Sequence, residues 1–380
     1  MLHVIDQLSG GGAEESLQQI LLGTAGPAFA HAVAVLKPGT QRLDPLMDAG
    51  VAVFAPQRSL DSRTARIRHV LRAIRKHTPD LLHTTLAEAS LAGRVAAKLT
   101  GVPVLTSLVN PPYAPEVRRT EDVATWKIEV WRAVDILLGR YATTCFHAVT
   151  DPVATAAVTA LRIDPARIRV VPRGRDLGRL GQPSPDCRRA VRAALGIGAD
   201  APMVLNVGRE EPQKGQLHLL RAFRSVRDRR PDAVLVIAGR HGNSTEAIDI
   251  AVREFGLEGA VRRLGFRSDV PDLLGSGDVF VCSSLYEGAA GAVLEAMAMR
   301  LPIVAHDIEA MREILEGGRC GVLVPVADPS ALAGAICAVL DHPEAARARA
   351  EAARASFERR YGLPACLDGM RRLYGDLARR

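Results

Sequence analysis

Thirteen short apolar runs recur along this chain, with helical patterns between them. In the first half the runs are Leu2–Asp6, His31–Leu36, Val51–Phe54, Leu81–His83, Val104–Ser107, Cys145–Val149 and Ile168–Val171. Helical patterns occupy Glu14–Leu22, Arg63–Lys76, Ala87–Leu99 and Thr125–Gly139. The second half repeats the rhythm with Met203–Val207, Val234–Ala238, Val261–Leu264, Val279–Cys282, Ile303–Ala305 and Gly321–Val324. Runs of Val, Ile and Leu without polar alternation suit strands buried on both faces. Strand–helix repetition builds a parallel, doubly wound sheet. A chain of 380 residues is too long for one core. The expected fold class is therefore α/β, with two Rossmann-like doubly wound parallel-sheet domains facing a central cleft. Ligands in such sheets sit at the carboxyl ends of the strands.

The expected boundaries follow composition. Residues 1–172 form the first domain and 202–360 the second. Between them, 173–201 is crowded with proline and glycine and reads as a linker with a short helix near Asp186–Leu195. Residues 361–380 hold a final amphipathic segment, Leu363–Leu377, with no strand after it.

Two motifs carry the chemistry. Gly208-Arg209-Glu210-Glu211-Pro212-Gln213-Lys214-Gly215 follows one apolar run and opens the helical pattern Gln216–Val226. Of 49 basic residues only five are lysines, and Lys214 is the only one after Lys127. A chain that otherwise uses arginine keeps one compact, mobile ammonium here, and such a charge suits a phosphate. The competing reading is a solvated lysine at a helix start. Glu210 and Glu211 are expected to face solvent or to steady the cations. The second motif, Glu287-Gly288-Ala289-Ala290-Gly291-Ala292-Val293-Leu294-Glu295, follows the run Val279–Cys282. A carboxylate accepts two hydroxyl hydrogen bonds, as a vicinal diol requires. Glu287 and Glu295 therefore suit the hydroxyls of a sugar and a ribose, and Arg209 with Lys214 suits a diphosphate. Two surface glutamates near a helix start are the bland alternative.

Other features are weaker. Ser9-Gly10-Gly11-Gly12-Ala13-Glu14 links the first strand to a helix and lets backbone N–H groups approach an anion. A tight turn without a ligand is the competing reading. It is not a dinucleotide fingerprint, because Glu15 stands where a third glycine belongs. His83 ends a strand and is a candidate acceptor contact, while His3 and His31 read as core or edge groups. No residues have metal-ligand spacing, so no metal or other cofactor is expected. A net charge of +7 suits an anionic partner and allows weak membrane-surface association. Dispersed arginines and an aromatic fraction of 4% argue against nucleic acid. The six cysteines form no CxxC pair, which fits a reducing compartment. Met1 leads directly into a strand pattern, and no signal peptide or membrane span is expected. The expected location is cytoplasmic, with peripheral contact at the inner membrane face.

Across nearly its whole length, and most specifically over 203–335, the chain resembles the retaining glycosyltransferases of family 4, which have the GT-B fold. The resemblance rests on Val207-Gly208-Arg209, Lys214-Gly215, Ile237-Ala238-Gly239, Leu264-Gly265, Glu287 with Glu295-Ala296-Met297-Ala298, Leu301-Pro302-Ile303-Val304-Ala305 and Gly321-Val322-Leu323-Val324-Pro325. It implies transfer of a sugar from a nucleoside-diphosphate-sugar, a substrate rather than a cofactor, to an acceptor hydroxyl with retention. Arg209 and Lys214 would bind the diphosphate, Glu295 the ribose and Glu287 the donor sugar. Gly288, Ala289, Ala290 and Gly291 would line the sugar pocket. Gly265 and Phe266 would lie beside the base, and Gly11 and Gly12 near the phosphates or the acceptor. The last helix would cross back to the first domain.

The chain departs from that pattern in three places. Ala289-Ala290 replaces the usual Phe-Gly. Ile308-Glu309-Ala310 replaces a frequent Gly-Gly pair. The stretch Leu108–Tyr113 lacks a histidine often found after the Val104–Ser107 strand, which leaves His83, Asn110 and Tyr113 as acceptor-side candidates. Two further readings are a GT-B epimerase or hydrolase of nucleotide-sugars and a non-catalytic nucleotide-sugar-binding regulator. Base, sugar, acceptor and oligomeric state are not legible.

Overall fold

The computed structural model describes residues 1–8, 11–38, 43–115, 124–182 and 184–379. It divides into two units: Met1–Gly174 with Leu363–Arg380, and Arg175–Gly362. The first unit holds β1 (Leu2–Ile5), β2 (Ala32–Val35), β3 (Ala52–Phe54), β4 (Leu82–Thr85), β5 (Val104–Leu108), β6 (Cys145–Ala148) and β7 (Ile168–Val170). They form a seven-stranded sheet in the order β3-β2-β1-β4-β5-β6-β7. The second holds β8 (Met203–Val207), β9 (Val234–Ala238), β10 (Val261–Arg263), β11 (Val279–Cys282), β12 (Ile303–His306) and β13 (Val322–Val324). Their order is β10-β9-β8-β11-β12-β13. Pairing is parallel throughout, for example Leu2↔Ala32 and Leu2↔Leu82, or Val204↔Leu235 and Val204↔Val279.

Each of the thirteen expected strands is present, with ends moved by a residue or two. Their side chains are buried on both faces in the central strands: Val204 packs in one core cluster and Leu205 in another. In each sheet the chain order reverses once, between β1 and β4 and between β8 and β11. At such a reversal the helices leave on opposite faces and their N-terminal loops part, which makes a crevice at the strand ends.

The segment 173–201 is not a spacer. Leu180 and Ile197 lie in the core of the second unit, and the helix Pro185–Ala194 is amphipathic. Arg192, 3% exposed, donates to the carbonyls of Ser276 and Gly198, and Arg188 reaches Asp278 at 2.5 Å. The prolines and glycines of this stretch shape tight turns around two short helices, so composition alone suggested a linker. The helix Leu363–Ala378 belongs to the first unit. Gly23 and Gly369 leave room there for Leu367 and Val171, and Tyr374 is fully buried.

Candidate active site

The reversal between β8 and β11 brings the two charged motifs together. After β8 the chain makes a tight loop, Gly208 to Gly215, before the helix Gln216–Arg229. Gly215 has φ +61, and a Cβ there would overlap the Ser283 carbonyl oxygen of the neighbouring loop. A side chain is therefore excluded on two counts. Three further bonds stitch the loops together. Ser283 Oγ donates to the Lys214 carbonyl at 2.8 Å, Leu285 N–H to the Gln213 carbonyl at 2.8 Å, and Gln213 Nε2 to the Tyr286 carbonyl at 2.9 Å. Beneath them Gln216, 2% exposed, donates to the carbonyls of Gly208 and Arg209 at 3.2 and 3.1 Å. A Cβ on Gly239 would overlap the Gly208 carbonyl, so the end of β9 also presses on this loop.

On that platform Lys214 Nζ lies 2.5 Å from Glu287 Oε1, and Ser284 Oγ donates to the same oxygen at 2.7 Å. Glu287 is 7% exposed, while Arg209 projects outward with Glu211 at 3.4 Å. A paired lysine, an exposed guanidinium and a held carboxylate thus share one strand-end crevice. Glu210 was expected to face solvent or to steady the cations of its motif, and it pairs instead with Arg263. It is 1% exposed and takes a two-pronged bond from Arg263 at 2.9 and 2.7 Å and one from Thr245 at 2.6 Å. Burial alone would raise its carboxyl, but the Arg263 and Thr245 bonds outweigh burial and hold it below the usual range. Its role is to anchor the loop that carries Arg209.

Glu295 sits in the helix Gly291–Ala298, and its Oε1 accepts from Arg175 Nε at 2.7 Å. Arg175 is 2% exposed and was missed by sequence reasoning. A Cβ on Gly291 would overlap its Nη2 atom, so the glycine that opens the helix is the gap through which the guanidinium reaches Glu295. Residues 287–290 are buried around this point. On the far side of β8, Gly265 turns with φ +63, and Phe266, 52% exposed, lies under Arg240 with the guanidinium carbon 4.7 Å from the ring centroid.

The corresponding reversal in the first unit has the opposite character. The N-terminus of the helix Gly12–Thr24 is already filled: Glu14 Oε2 accepts the Gly11 N–H at 2.8 Å and is 5% exposed. Asp6 Oδ1 accepts the Ala89 N–H at 2.7 Å at the start of the helix Ala87–Thr100. The Glu14 carboxylate thus holds the position where Gly11 and Gly12 were expected to meet an anion; Ser9 and Gly10 lie outside the described residues.

His83 is not an acceptor contact. It lies within β4, 2% exposed, with Nδ1 hydrogen-bonded with Tyr374 Oη at 2.9 Å and Nε2 with Ser107 Oγ at 2.7 Å. Ser107 Oγ continues to His147 Nδ1 at 2.8 Å, and His147 Nε2 donates to the Val171 carbonyl at 2.8 Å. Burial, then the neighbouring His147, lowers His83 to about 3. Sequence reasoning took the strand to end at His83, but it runs on to Thr85, which draws the ring under the helix Leu363–Ala378. Asn110 is exposed, and the Tyr113 hydroxyl donates to Asp135. Residues 116–123, farther along the same stretch, lie outside the described residues. Among the described residues, no group of three or more His, Cys, Asp or Glu is placed to hold a metal ion, and no helix is long and apolar enough to cross a membrane.

The family model for glycosyl transferases group 1 matches residues 201–342, and that for the glycosyl transferase 4-like domain matches 11–174. The chain is 31% identical over 264 residues to the alpha-D-kanosaminyltransferase of Streptomyces kanamyceticus, covering 63% of this chain and 68% of that one. It is 28% identical over 272 residues to the UDP-Gal:alpha-D-GlcNAc-diphosphoundecaprenol alpha-1,3-galactosyltransferase of Escherichia coli, covering 70% and 68%. Among solved structures, Anabaena HepE in complex with UDP and glucose superposes with a TM-score of 0.86 at 20% identity, covering 99% of each chain. Sucrose-phosphate synthase of Thermosynechococcus elongatus gives 0.81 at 21% identity, covering 99% and 98%. Two doubly wound parallel-sheet units, matched along the chain by these families, identify the protein as a member of the group 1 glycosyltransferases with the GT-B fold.

Proposed function

We propose that this glycosyltransferase takes a nucleoside-diphosphate-sugar in its second unit and moves the sugar to an acceptor hydroxyl with retention at the anomeric carbon. The observation that carries the reading is Lys214 paired with Glu287 at the reversal between β8 and β11. In the free protein each neutralises the other. On donor binding Lys214 turns to the diphosphate beside Arg209, and Glu287 is released to accept sugar hydroxyls. Glu295, held by Arg175, takes the ribose, and the turn at Gly265 and Phe266 flanks the base. Uridine is the first base to test, since the Anabaena structure holds UDP and the Escherichia coli relative is named for UDP-Gal.

In the transfer step the bond from the anomeric carbon to the diphosphate oxygen breaks, and its electron pair stays on the diphosphate. The acceptor oxygen bonds to the same face of that carbon, and its proton passes to the departing diphosphate. Arg209 and Lys214 stabilise the charge that builds there, a contribution of preorganised electrostatics, and supply what a metal ion would otherwise provide. We assign acceptor positioning to Asn110 and Tyr113 of the first unit. Burial, then the Asp135 carboxylate, raises the Tyr113 phenol, so it stays protonated as a hydrogen-bond donor.

Calorimetric titration with UDP, GDP, ADP and dTDP, using Arg209→Ala/Lys214→Ala as control, tests the donor site. Selective binding by one nucleotide that the variant loses is the expected result. Equal binding by wild type and variant would remove the diphosphate from this crevice. The anomeric coupling constant of the first product, read by NMR, tests retention.

A further inference from the structure

Four of the eleven exposed large apolar side chains among the described residues lie on one helix of the first unit, Thr125–Tyr141. They are Trp126 (66% exposed), Val130 (51%), Leu137 (56%) and Tyr141 (59%). With exposed Ala133 they follow the spacing of one helical face and fall within an arc of about 80° at 100° per residue. The stripe is about 22 Å long at 1.5 Å per residue. The helix is held to its own unit by its other side. There Gly139 is buried near Phe146, Asp135 binds Arg94 at 2.6 Å and the Tyr113 hydroxyl, and Trp131 stacks under Arg63 at 3.8 Å.

The charges around the stripe say what would cover it. Both carboxylates of the helix have cationic partners on this molecule: Asp135 has Arg94, and Glu129 has Arg132 at 2.8 Å. The exposed ionic groups that flank the stripe are Lys127 and Arg140, one beside each end. Each lies near the adjacent exposed ring, Lys127 5.7 Å from Trp126 and Arg140 5.4 Å from Tyr141. Two copies packed antiparallel along the stripe would bring no opposite charges together at its edges, because both exposed flanking groups are cations. An indole and a phenol at the ends, aliphatic side chains between and cations at the edges match the boundary of an anionic bilayer. There the rings and stems enter the headgroup region and the cations meet lipid phosphates.

We propose that the helix Thr125–Tyr141 is a membrane-surface anchor that lies in the interface of anionic phospholipid through Trp126, Val130, Leu137 and Tyr141. The proposal stands apart from the donor-site reading, because no donor-site residue lies on this helix.

Both tryptophans of the chain, Trp126 and Trp131, are on this helix, so intrinsic fluorescence reports on it directly. The full chain would be floated with vesicles of phosphatidylcholine alone and with 30 mol % phosphatidylglycerol, at low salt and in 0.5 M NaCl. Flotation with the anionic vesicles at low salt is expected, with a blue shift of the lone indole in Trp131→Phe and its quenching by brominated lipid. Trp126→Ala/Leu137→Glu/Tyr141→Glu should abolish flotation with an unchanged circular dichroism spectrum and donor affinity. Lys127→Glu/Arg140→Glu should weaken binding at least about tenfold. A wild type that stays with neither vesicle, or a triple variant that floats as well as wild type, overturns the proposal. A wild-type dimer in light scattering that the triple variant splits, without flotation, would give the stripe to a second copy instead.

Discussion

Gly291→Ala is the substitution whose outcome follows most directly from the packing around Arg175. The new methyl would overlap Arg175 Nη2 and stand 3.1 Å from the guanidinium carbon. Arg175 must then withdraw from Glu295, whose side chain is 15% exposed against 3% for the arginine. Separating a buried ion pair costs about 3–5 kcal/mol. Partial access of Glu295 to water reduces this, and about 2–3 kcal/mol remains. For a unit of this size that is a fall in Tm of about 5–10 °C. The sign should reverse when the obstacle is removed. In an Arg175→Ala background the same methyl meets no guanidinium, and alanine replaces a helix-opening glycine, which is neutral or stabilising by up to about 1 kcal/mol. Thermal melting of wild type, both single variants and the double variant closes the cycle, with a coupling of about 2–3 kcal/mol expected. Donor affinity should fall in both single variants, since Glu295 loses the group that orients it. If Gly291→Ala lowered Tm equally in the two backgrounds, the glycine would not be there to admit Arg175, and the reasoning would fail.

Lys214→Ala should lower kcat by about 10²–10³, as for removal of one charge-stabilising donor, and should lower Tm because Glu287 stays buried without its cation. Adding Glu287→Gln should restore Tm but not turnover, separating the chemical role from the structural one. Glu210→Ala leaves Arg263 without its buried partner and should cost about 3–5 kcal/mol, visible in melting and rescued in part by Arg263→Met. Acid should weaken the first unit through its buried histidines. Burial lowers His31 and His147 to about 4 and His83 to about 3, so the unfolded chain binds more protons below its ordinary pKa of 6.5. Stability is therefore complete above about pH 6.5 and drains away as pH falls toward 4, at about 1.4 kcal/mol per pH unit for each such histidine. Tryptophan fluorescence during acid titration should show this loss, and His147→Gln should flatten it. A transition unmoved between pH 7 and 4.5 would contradict the burial of the array.

The strands were readable because a run such as Val279–Cys282, buried on both faces, leaves no room for polar alternation. The Arg209–Lys214 and Glu287–Glu295 motifs were readable because each is local, a few residues after a strand. What escaped were pairings across long separations. Arg175 meets Glu295 120 residues away, and its one local signal was a basic residue soon after β7. Glu210 looked like its neighbour Glu211, since the Arg263 that draws it inside lies 53 residues on. His83 looked like a strand-end histidine until the helix Leu363–Ala378 placed Tyr374 against it, 291 residues later. Proline and glycine in 173–201 marked turns correctly but could not say whether the helices between them were packed.

The two sheet reversals explain why a nucleoside-diphosphate donor is proposed for one unit and not the other. Both present parallel strand ends and helix N-termini, and a helix N-terminus attracts anions whatever the sequence. In the first unit that attraction is satisfied from within, by Glu14 at Gly11 and Asp6 at Ala89. A diphosphate arriving there would have to displace two carboxylates and would be repelled by them. In the second unit the cations Arg209 and Lys214 stand at the crevice, and the one carboxylate that touches Lys214, Glu287, has an alternative use for its oxygens in the hydroxyls of a sugar. A diphosphate bound there as proposed would gain two cations while Glu287 exchanged one partner for another. Carboxylates introduced at Arg209 and Lys214 would erase this difference. Arg209→Glu/Lys214→Glu should bind no nucleoside diphosphate, even where its melting shows a folded second unit. Retained binding by that variant would place the diphosphate elsewhere and end the distinction between the two reversals.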